Sequence, residues 1–425
     1  MFLTDRKLER RIAELKEHRY RDIINLNEFT VQEDTQGVVN PVLPEVFTGW
    51  DTLRVGDTWK GRDLFLWMHR VIQVPAEWKG KKIVGIFDFG NTGAGNNAGF
   101  ESMLYLNGKM YQGVDANHKE VFFDDTYCGT NMYVTFRLWS GLEGGGVPTP
   151  QEHRIARADL AWLDEEVDDF YYLASMVWET IKELDEFNPV QHDLRKALDT
   201  ACHCIDWAYP GSDTFYESVH EADHLLNESI DSMDKKSSVN IRCVGHTHID
   251  VAWLWRLKHT REKCSRSFTT VLRLMEQYPE YVFLQTQPQL YEYMKEEFPD
   301  IYKKIKERVA EGRWEADGAM WVEADCNLTS GESLTRQILL GSKFIKDEFG
   351  KDVEYLWLPD VFGYSWALPQ ILKKAGISTF MTTKISWNQY NRMPHDTFKW
   401  KGIDGSEVLT HFITTPEPWN EPGSW

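Results

Sequence analysis

The 425-residue sequence predicts a multidomain chain with three successive kinds of structure. An N-terminal antiparallel β-sandwich, jelly-roll-like, leads into a helical linker bundle and then into an incomplete α/β region. Three observations carry this. Short strand-like runs broken by turn residues fill 29–157, a helical period takes over across 158–237, and from 238 to 425 strands alternate with helices. At roughly 100–200 residues per domain the length accommodates two to four such units, each able to bury a core.

Residues 1–28 open the chain as an amphipathic helix, with Leu8, Ile12 and Leu15 at helical spacing. Between Thr4 and Asp22 the Arg and Lys residues alternate with Glu and Asp, which suits a helix docked on its own protein. No signal peptide is expected there, since that stretch is charged throughout. The β region follows. Leu64–Trp67, Lys82–Phe87 and Ser102–Leu106 read as strands, and Asn107-Gly108 before Met110-Tyr111 reads as a tight hairpin turn. The glycines at Gly90, Gly93 and Gly95 are not a nucleotide loop, because no helix follows them. Gly144-Gly145-Gly146-Val147-Pro148 marks a loop near the end of the region.

The bundle comprises helical patterns over Leu163–Leu184, Val190–Ala208 and Asp213–Met233, punctuated by Pro189 and Pro210-Gly211. Cys202-His203-Cys204 lies inside one of them. Consecutive helical residues point in different directions, so this triplet is packing rather than a metal site. The six cysteines include no CxxC pair, and free thiols in a reducing, cytoplasmic compartment are expected.

From 238 the strand candidates are Ile241–Val244, Val282–Gln285, Trp314–Ala316, Tyr355–Trp357, Thr379–Thr382 and Leu409–Ile413. Helical patterns at Arg256–Gln277, Leu290–Ala310, Glu332–Phe349 and Trp366–Lys374 separate them. Thr329-Ser330-Gly331-Glu332 fits a capping box, and Gly376 fits a helix C-terminus. Repeated βα units mean a parallel sheet, open or closed into a barrel. With six strands and no closing helix before Pro416-Glu417-Pro418-Trp419, the sheet reads as unfinished.

Composition narrows the chemistry. Sixty-six acidic residues against 47 Lys and Arg give a formal charge of −19, which argues against a nucleic-acid surface. No apolar run approaches the ~20 residues a membrane span needs. The 18 Trp residues read first as an aromatic core, though flat rings with one polar edge also suit sugar faces.

Two constellations sit where parallel βα folds keep their chemistry, at strand carboxyl ends. In Gly245-His246-Thr247-His248-Ile249-Asp250, His248 and Asp250 are two apart and face one side of an extended backbone. A neutral imidazole with a carboxylate can hold one zinc ion; alternatively one His caps a helix and Asp250 is an N-cap. In Leu358-Pro359-Asp360-Val361-Phe362-Gly363, Asp360 lies between a stiffening proline and a permissive glycine. It could bind the same ion and attack a sugar, or simply cap the next helix. Trp253 and Trp255 could wall a sugar face or fill core.

Taken together, His246 to Arg256 and Trp357 to Ser365 resemble the signature pair of glycoside hydrolase family 38 α-mannosidases, most nearly the cytosolic and bacterial branch. Met320 to Ser333 and Thr383-Lys384-Ile385-Ser386-Trp387-Asn388 support the resemblance, which covers 239 to the end, with a similar layout before it. It implies a (β/α)7-type barrel, incomplete here. It further implies His248, Asp250 and Asp360 as ligands of a divalent metal, usually Zn2+, that binds the 2- and 3-hydroxyls of mannose. Asp360 is then also the nucleophile of a retaining hydrolysis, Trp253 the platform under the mannose ring, and Asp325 and Lys384 further substrate contacts.

The implied substrate is a mannose-containing oligosaccharide, with a homo-oligomer possible and neither nucleic acid nor membrane as partner. The family's acid/base Asp and remaining metal-ligand His find no match here, since neither His395 nor His411 has the expected surroundings. The chain is therefore expected to be the N-terminal portion of a longer enzyme, by itself inactive. Two other classes fit less of the pattern: a metal-dependent carbohydrate deacetylase, and a non-catalytic carbohydrate-binding or assembly fragment.

Overall fold

Residues 4–90, 99–142, 147–234, 240–386 and 393–413 are described in the computed structural model of the protein. Gly93 and Gly95, the loop glycines Gly144–Gly146, Trp387 and Asn388, and Pro416–Trp419 lie outside the described residues.

Alternating apolar residues of two antiparallel sheets build the β region. One sheet runs, in spatial order, Asp51–Arg54, Glu28–Glu33, Phe65–Gln73, Asn131–Trp139, Glu101–Leu106 and Lys109–Asp115. The other runs Tyr20–Asn25, Arg157–Leu163, Lys82–Asp88 and Glu120–Phe123. Both contribute to one buried apolar cluster, where Phe87 of the smaller sheet meets Phe136 of the larger edge-on at 4.8 Å. The hairpin at Asn107-Gly108 forms as expected, with both residues left-handed (φ 49° and 81°), the geometry that matches strand twist.

The change to helix comes later than the sequence pattern suggests. Ala158 to Leu163 belong to the strand Arg157–Leu163, and Ala158 and Leu160 fill the β core. The run Leu160-Ala161-Trp162-Leu163 is apolar in both periods, and pairing with Lys82–Asp88 and Tyr20–Asn25 decides it. The first helix of the bundle starts at Glu165, with Asp164 accepting the Val167 N–H as its N-cap. Glu165–Glu183, Pro189–Cys204 and Asp213–Asp231 share a core with the N-terminal helix Thr4–His18, which buries Leu8, Ile12 and Leu15 as its spacing predicts. All six cysteines are free, and His203 is exposed with its Nδ1 engaged by the Asp199 carbonyl.

In the last region Gly245–His246, Phe283–Gln285 and Trp314–Ala316 pair in parallel, as do Tyr355–Leu358, Thr379–Thr382 and Glu407–Phe412. An isolated parallel bridge from Gly318 to Leu356 connects the two groups. The first strand forms at Gly245–His246, not at Ile241–Val244, where Ile241 and Val244 are exposed; only Gly245-His246 lies opposite a partner, Phe283-Leu284. Leu290–Ala310 is two helices, Pro288–Glu297 and Pro299–Ala310, because Pro299 lacks an N–H and drives Phe298 out of helical geometry (φ −132°, ψ 58°). Gly331–Phe349 is capped by Ser330, whose hydroxyl accepts the Ser333 N–H at 3.2 Å, so the box expected from Thr329 and Glu332 does not form. An antiparallel strand, Thr397–Lys401, pairs with Glu407–Phe412 and was not anticipated. Gly376 ends its helix with φ 84°, as expected.

Candidate active site

Every polar group of the candidate site leaves the carboxyl end of a parallel strand, which turns separate sequence motifs into one cluster. His246, on the first strand, makes two bonds. Its Nδ1 lies 3.0 Å from the Leu284 carbonyl oxygen and its Nε2 accepts the Trp357 indole N–H at 3.3 Å. Those partners leave the ring neutral, and burial lowers its pKa below the ordinary histidine value. Trp357 lies on the fourth parallel strand, so this contact joins the first and fourth strands of the series.

Two residues on, His248 is surrounded by carboxylates. Its Nε2 is 3.3 Å from Asp250 Oδ1 and 3.4 Å from Asp360 Oδ2, and its Nδ1 is 2.7 Å from Glu323 Oε2. Burial opposes charge on the ring, but the close carboxylates of Asp250, Asp360 and Glu323 outweigh it and push the imidazole of the metal-free chain up to about 12. Asp360 also forms an ion pair with Lys384 through Oδ1. Burial favours its neutral form, yet His248 and Lys384 prevail and hold the carboxyl below the usual carboxylate range. It therefore stays ionised at neutral pH.

The donor set fits a divalent ion. Donor atoms of His248, Asp250 and Asp360 all lie within 4.8 Å of one another. Two ligands ~2.1 Å from one tetrahedral ion stand about 3.4 Å apart, and the 3.3 and 3.4 Å separations here match that. One imidazole with two carboxylates is a borderline donor set that takes zinc and other divalent ions alike.

Of the sequence-predicted residues, His248, Asp250, Asp360 and Lys384 converge. Trp253 is 55 % exposed on the loop after Asp250, its ring edge-on to Trp255 at 5.5 Å, so it is not core. Asp325 is not brought into the cluster. Its Oδ1 accepts the Asn327 and Leu328 N–H groups at 2.9 and 2.7 Å, forming a turn. Sequence reasoning missed Glu323, whose side chain is 5 % exposed and which also accepts the Thr286 hydroxyl at 3.2 Å. The signal was available: Glu323 is an acidic residue between the apolar Val322 and Ala324, shortly after a strand carboxyl end. Also missed were Gln285 and Gln287, whose amides donate to the carbonyls of Thr247 and Ile249 at 3.1 and 2.9 Å and brace the His248 segment.

Comparison with known proteins bears on the family of the chain. Residues 238–423 match the model of the glycosyl hydrolases family 38 N-terminal domain. The chain is 35 % identical over 363 residues to α-mannosidase G of Dictyostelium discoideum, covering 81 % of this chain and 32 % of that protein. It is 33 % identical over 373 residues to human α-mannosidase 2C1, covering 84 % of this chain and 34 % of that protein. The chain thus spans about a third of the length of these curated relatives. Among solved structures, an α-mannosidase from Enterococcus faecalis V583 aligns over 40 % of this chain and 19 % of its own, with 21 % identity and a TM-score of 0.35.

Proposed function

We propose, since this chain belongs to glycosyl hydrolase family 38, that the whole protein hydrolyses terminal α-linked mannose with retention of configuration. The observation that carries the proposal is the convergence of His248, Asp250 and Asp360 at strand ends, with Asp360 ion-paired to Lys384. His248, Asp250 and Asp360 would hold a divalent metal, zinc by preference, which would supply Lewis-acid polarisation of the sugar hydroxyls. Asp360 is the nucleophile: a carboxylate oxygen bonds to the anomeric carbon as the glycosidic C–O bond breaks, and water later releases the sugar from the Asp360 ester. Lys384 holds the Asp360 carboxylate in its charged form and orients it. Trp253 offers an exposed apolar face for the sugar ring.

Retention requires a second carboxyl group ~5–5.5 Å from the nucleophile to protonate the leaving oxygen. The proposal assigns that acid and a further histidine ligand to sequence outside these 425 residues, supported by the third of their relatives that the chain spans. It also treats the parallel strands as the opening part of a barrel and the paired antiparallel sheets as a sandwich. A cytoplasmic location is part of the same reading; no helix among the described residues is long and apolar enough to cross a membrane. Turnover of an aryl α-mannoside by the whole protein tests the proposal. Asp360→Asn should reduce turnover by a factor on the order of 10³ or more, and unchanged turnover would remove Asp360 from the nucleophile role.

A further inference from the structure

The loop that carries Asp250 and Trp253 is tied to the β region where His259 and Arg256 both meet Asp63. His259 is 1 % exposed, three residues into the helix Leu257–Gln277. Its Nδ1 accepts the backbone N–H of Arg256 at 3.0 Å, the reciprocal bond that a glutamate usually makes in a capping box. With Nδ1 accepting, the ring proton sits on Nε2 and is donated to Asp63 Oδ1 at 2.6 Å. Asp63 belongs to the turn between the strands Thr58–Gly61 and Phe65–Gln73, in another region of the fold.

Asp63 is itself firmly placed. Its N–H donates to the Gly141 carbonyl at 3.0 Å, and its Oδ1 accepts the Trp139 indole N–H at 3.0 Å. Trp139 also stacks on the His259 ring at 4.6 Å, and Arg256 reaches Asp63 Oδ2 at 3.1 Å. The Asp63 backbone is left-handed (φ 58°), a conformation Asp tolerates but rarely adopts without a reason.

At the other end of the link stands the metal-binding segment. Arg256 follows Trp255, whose indole N–H donates to the Asp250 carbonyl at 3.2 Å, where the Thr260 hydroxyl also donates at 3.4 Å. Between Asp250 and Trp255 the chain passes through Ala252 at φ 117°, a strained conformation that persists only where its surroundings enforce it. We propose that Asp63, acting through His259 and Arg256, is a positioning residue that holds the loop 250–256 in the geometry the metal ligands and the Trp253 face require. The β region then has a role in the site without touching substrate. This rests on the proposed function for its consequence, but the link itself is testable without metal or activity.

Hydrogen exchange of the full chain provides that test. In Asp63→Asn, amides of residues 250–256 should exchange about tenfold faster, while those of Gly331–Phe349 stay within about twofold. Glu101→Gln serves as control. It cuts a different tie between the β region and the same helix, the one to Lys263 and Arg266, and should leave the 250–256 amides within about twofold of the parent. Titration with Co2+ alone, followed by its visible absorption, should show about tenfold weaker binding and an altered band shape in Asp63→Asn.

Unchanged loop exchange in Asp63→Asn, or equal acceleration in Glu101→Gln, overturns the proposal. A parent chain that binds no Co2+ overturns the metal reading, and the exchange experiment still judges the link. Should Asp63→Asn lose its native circular dichroism, His259→Gln with Arg256→Gln breaks the same link from the other side and is judged by the same rates.

Discussion

Replacing Arg137 by Met should loosen the junction between the β region and the helix Leu257–Gln277. Arg137 is 4 % exposed and sits between two carboxylates, with Nε and Nη2 on Asp34 Oδ2 at 2.9 and 2.7 Å and Nη1 on Glu262. Nη2 also donates to the Val38 carbonyl at 2.9 Å. Removing one partner of a buried ion pair costs about 3–5 kcal/mol, because the remaining charge is left without compensation. Here the low end applies. Asp34 Oδ1 keeps the N–H groups of Gln36 and Gly37 at 3.1 and 3.3 Å, and Glu262 retains Arg266 at 3.7 Å. An expected loss of about 3 kcal/mol equals a little over two orders of magnitude in opening equilibrium. Native-state hydrogen exchange of the slowest amides in Leu257–Gln277 measures it. Adding Glu262→Met should then cost less than the sum of the single changes, with a coupling of about 1–2 kcal/mol. A loss under about 1 kcal/mol, or additive changes, would refute the view that this pair holds the junction.

His248→Ala should abolish Co2+ and Zn2+ binding by the chain in calorimetric titration, since one of three donors and the ring supported by Glu323 are lost. Removing metal from the whole protein with a chelator should abolish aryl α-mannosidase activity, and added Zn2+ should restore it. Trp253→Ala should change stability by no more than about 0.5 kcal/mol because the ring is exposed, yet raise KM for a mannoside; unchanged kinetics would dismiss the platform role. Asp317 is buried and its pKa is raised to about 6, burial being the first cause. A carboxyl whose folded pKa exceeds its unfolded value of about 3.9 binds its proton more tightly when folded. The stability it contributes is therefore greatest below about pH 4 and falls as pH rises to about 6, the reverse of a paired carboxylate. Asp317→Asn should flatten that slope in unfolding measured from pH 4 to 7.

Short-range signals were the legible ones. Leu8, Ile12 and Leu15 fixed the buried face of the first helix, and Asn107-Gly108 fixed a hairpin, because each signal spans one helical turn or one reversal. Five of the six parallel strand candidates fell on observed strands. The misplaced strand boundaries share a cause. Ala158 to Leu163 and Ile241–Val244 are apolar in more than one period, so the available partner strand decides where the ladder forms. The expected capping box at Thr329 yields to Ser330 because the Thr329 hydroxyl is already bonded to the Asp325 carbonyl.

The site divides along the same line. His248, Asp250 and Asp360 could be picked out as candidate ligands because binding a metal needs a particular atom type at a particular strand end, and such a requirement leaves a local trace. The groups that aim those ligands leave none. Glu323 meets His248 from 75 positions away in sequence, and Asp63 meets His259 across 196. An aspartate in a surface-type turn and a histidine early in a helix each have an ordinary local explanation, and only the close approach of two regions joins them. That approach is written into packing: a Cβ at Gly113, on a strand of the β region, would stand 2.7 Å from the Arg266 carbonyl oxygen of the same helix. Gly113 thus admits the helix that carries His259, and that seating brings Asp63 within bonding distance. A larger residue at Gly113 should therefore weaken the Asp63–His259 bond without touching either partner. In Gly113→Val the exchange of amides 250–256 should rise as in Asp63→Asn, and combining the two should add little, since both remove one and the same constraint.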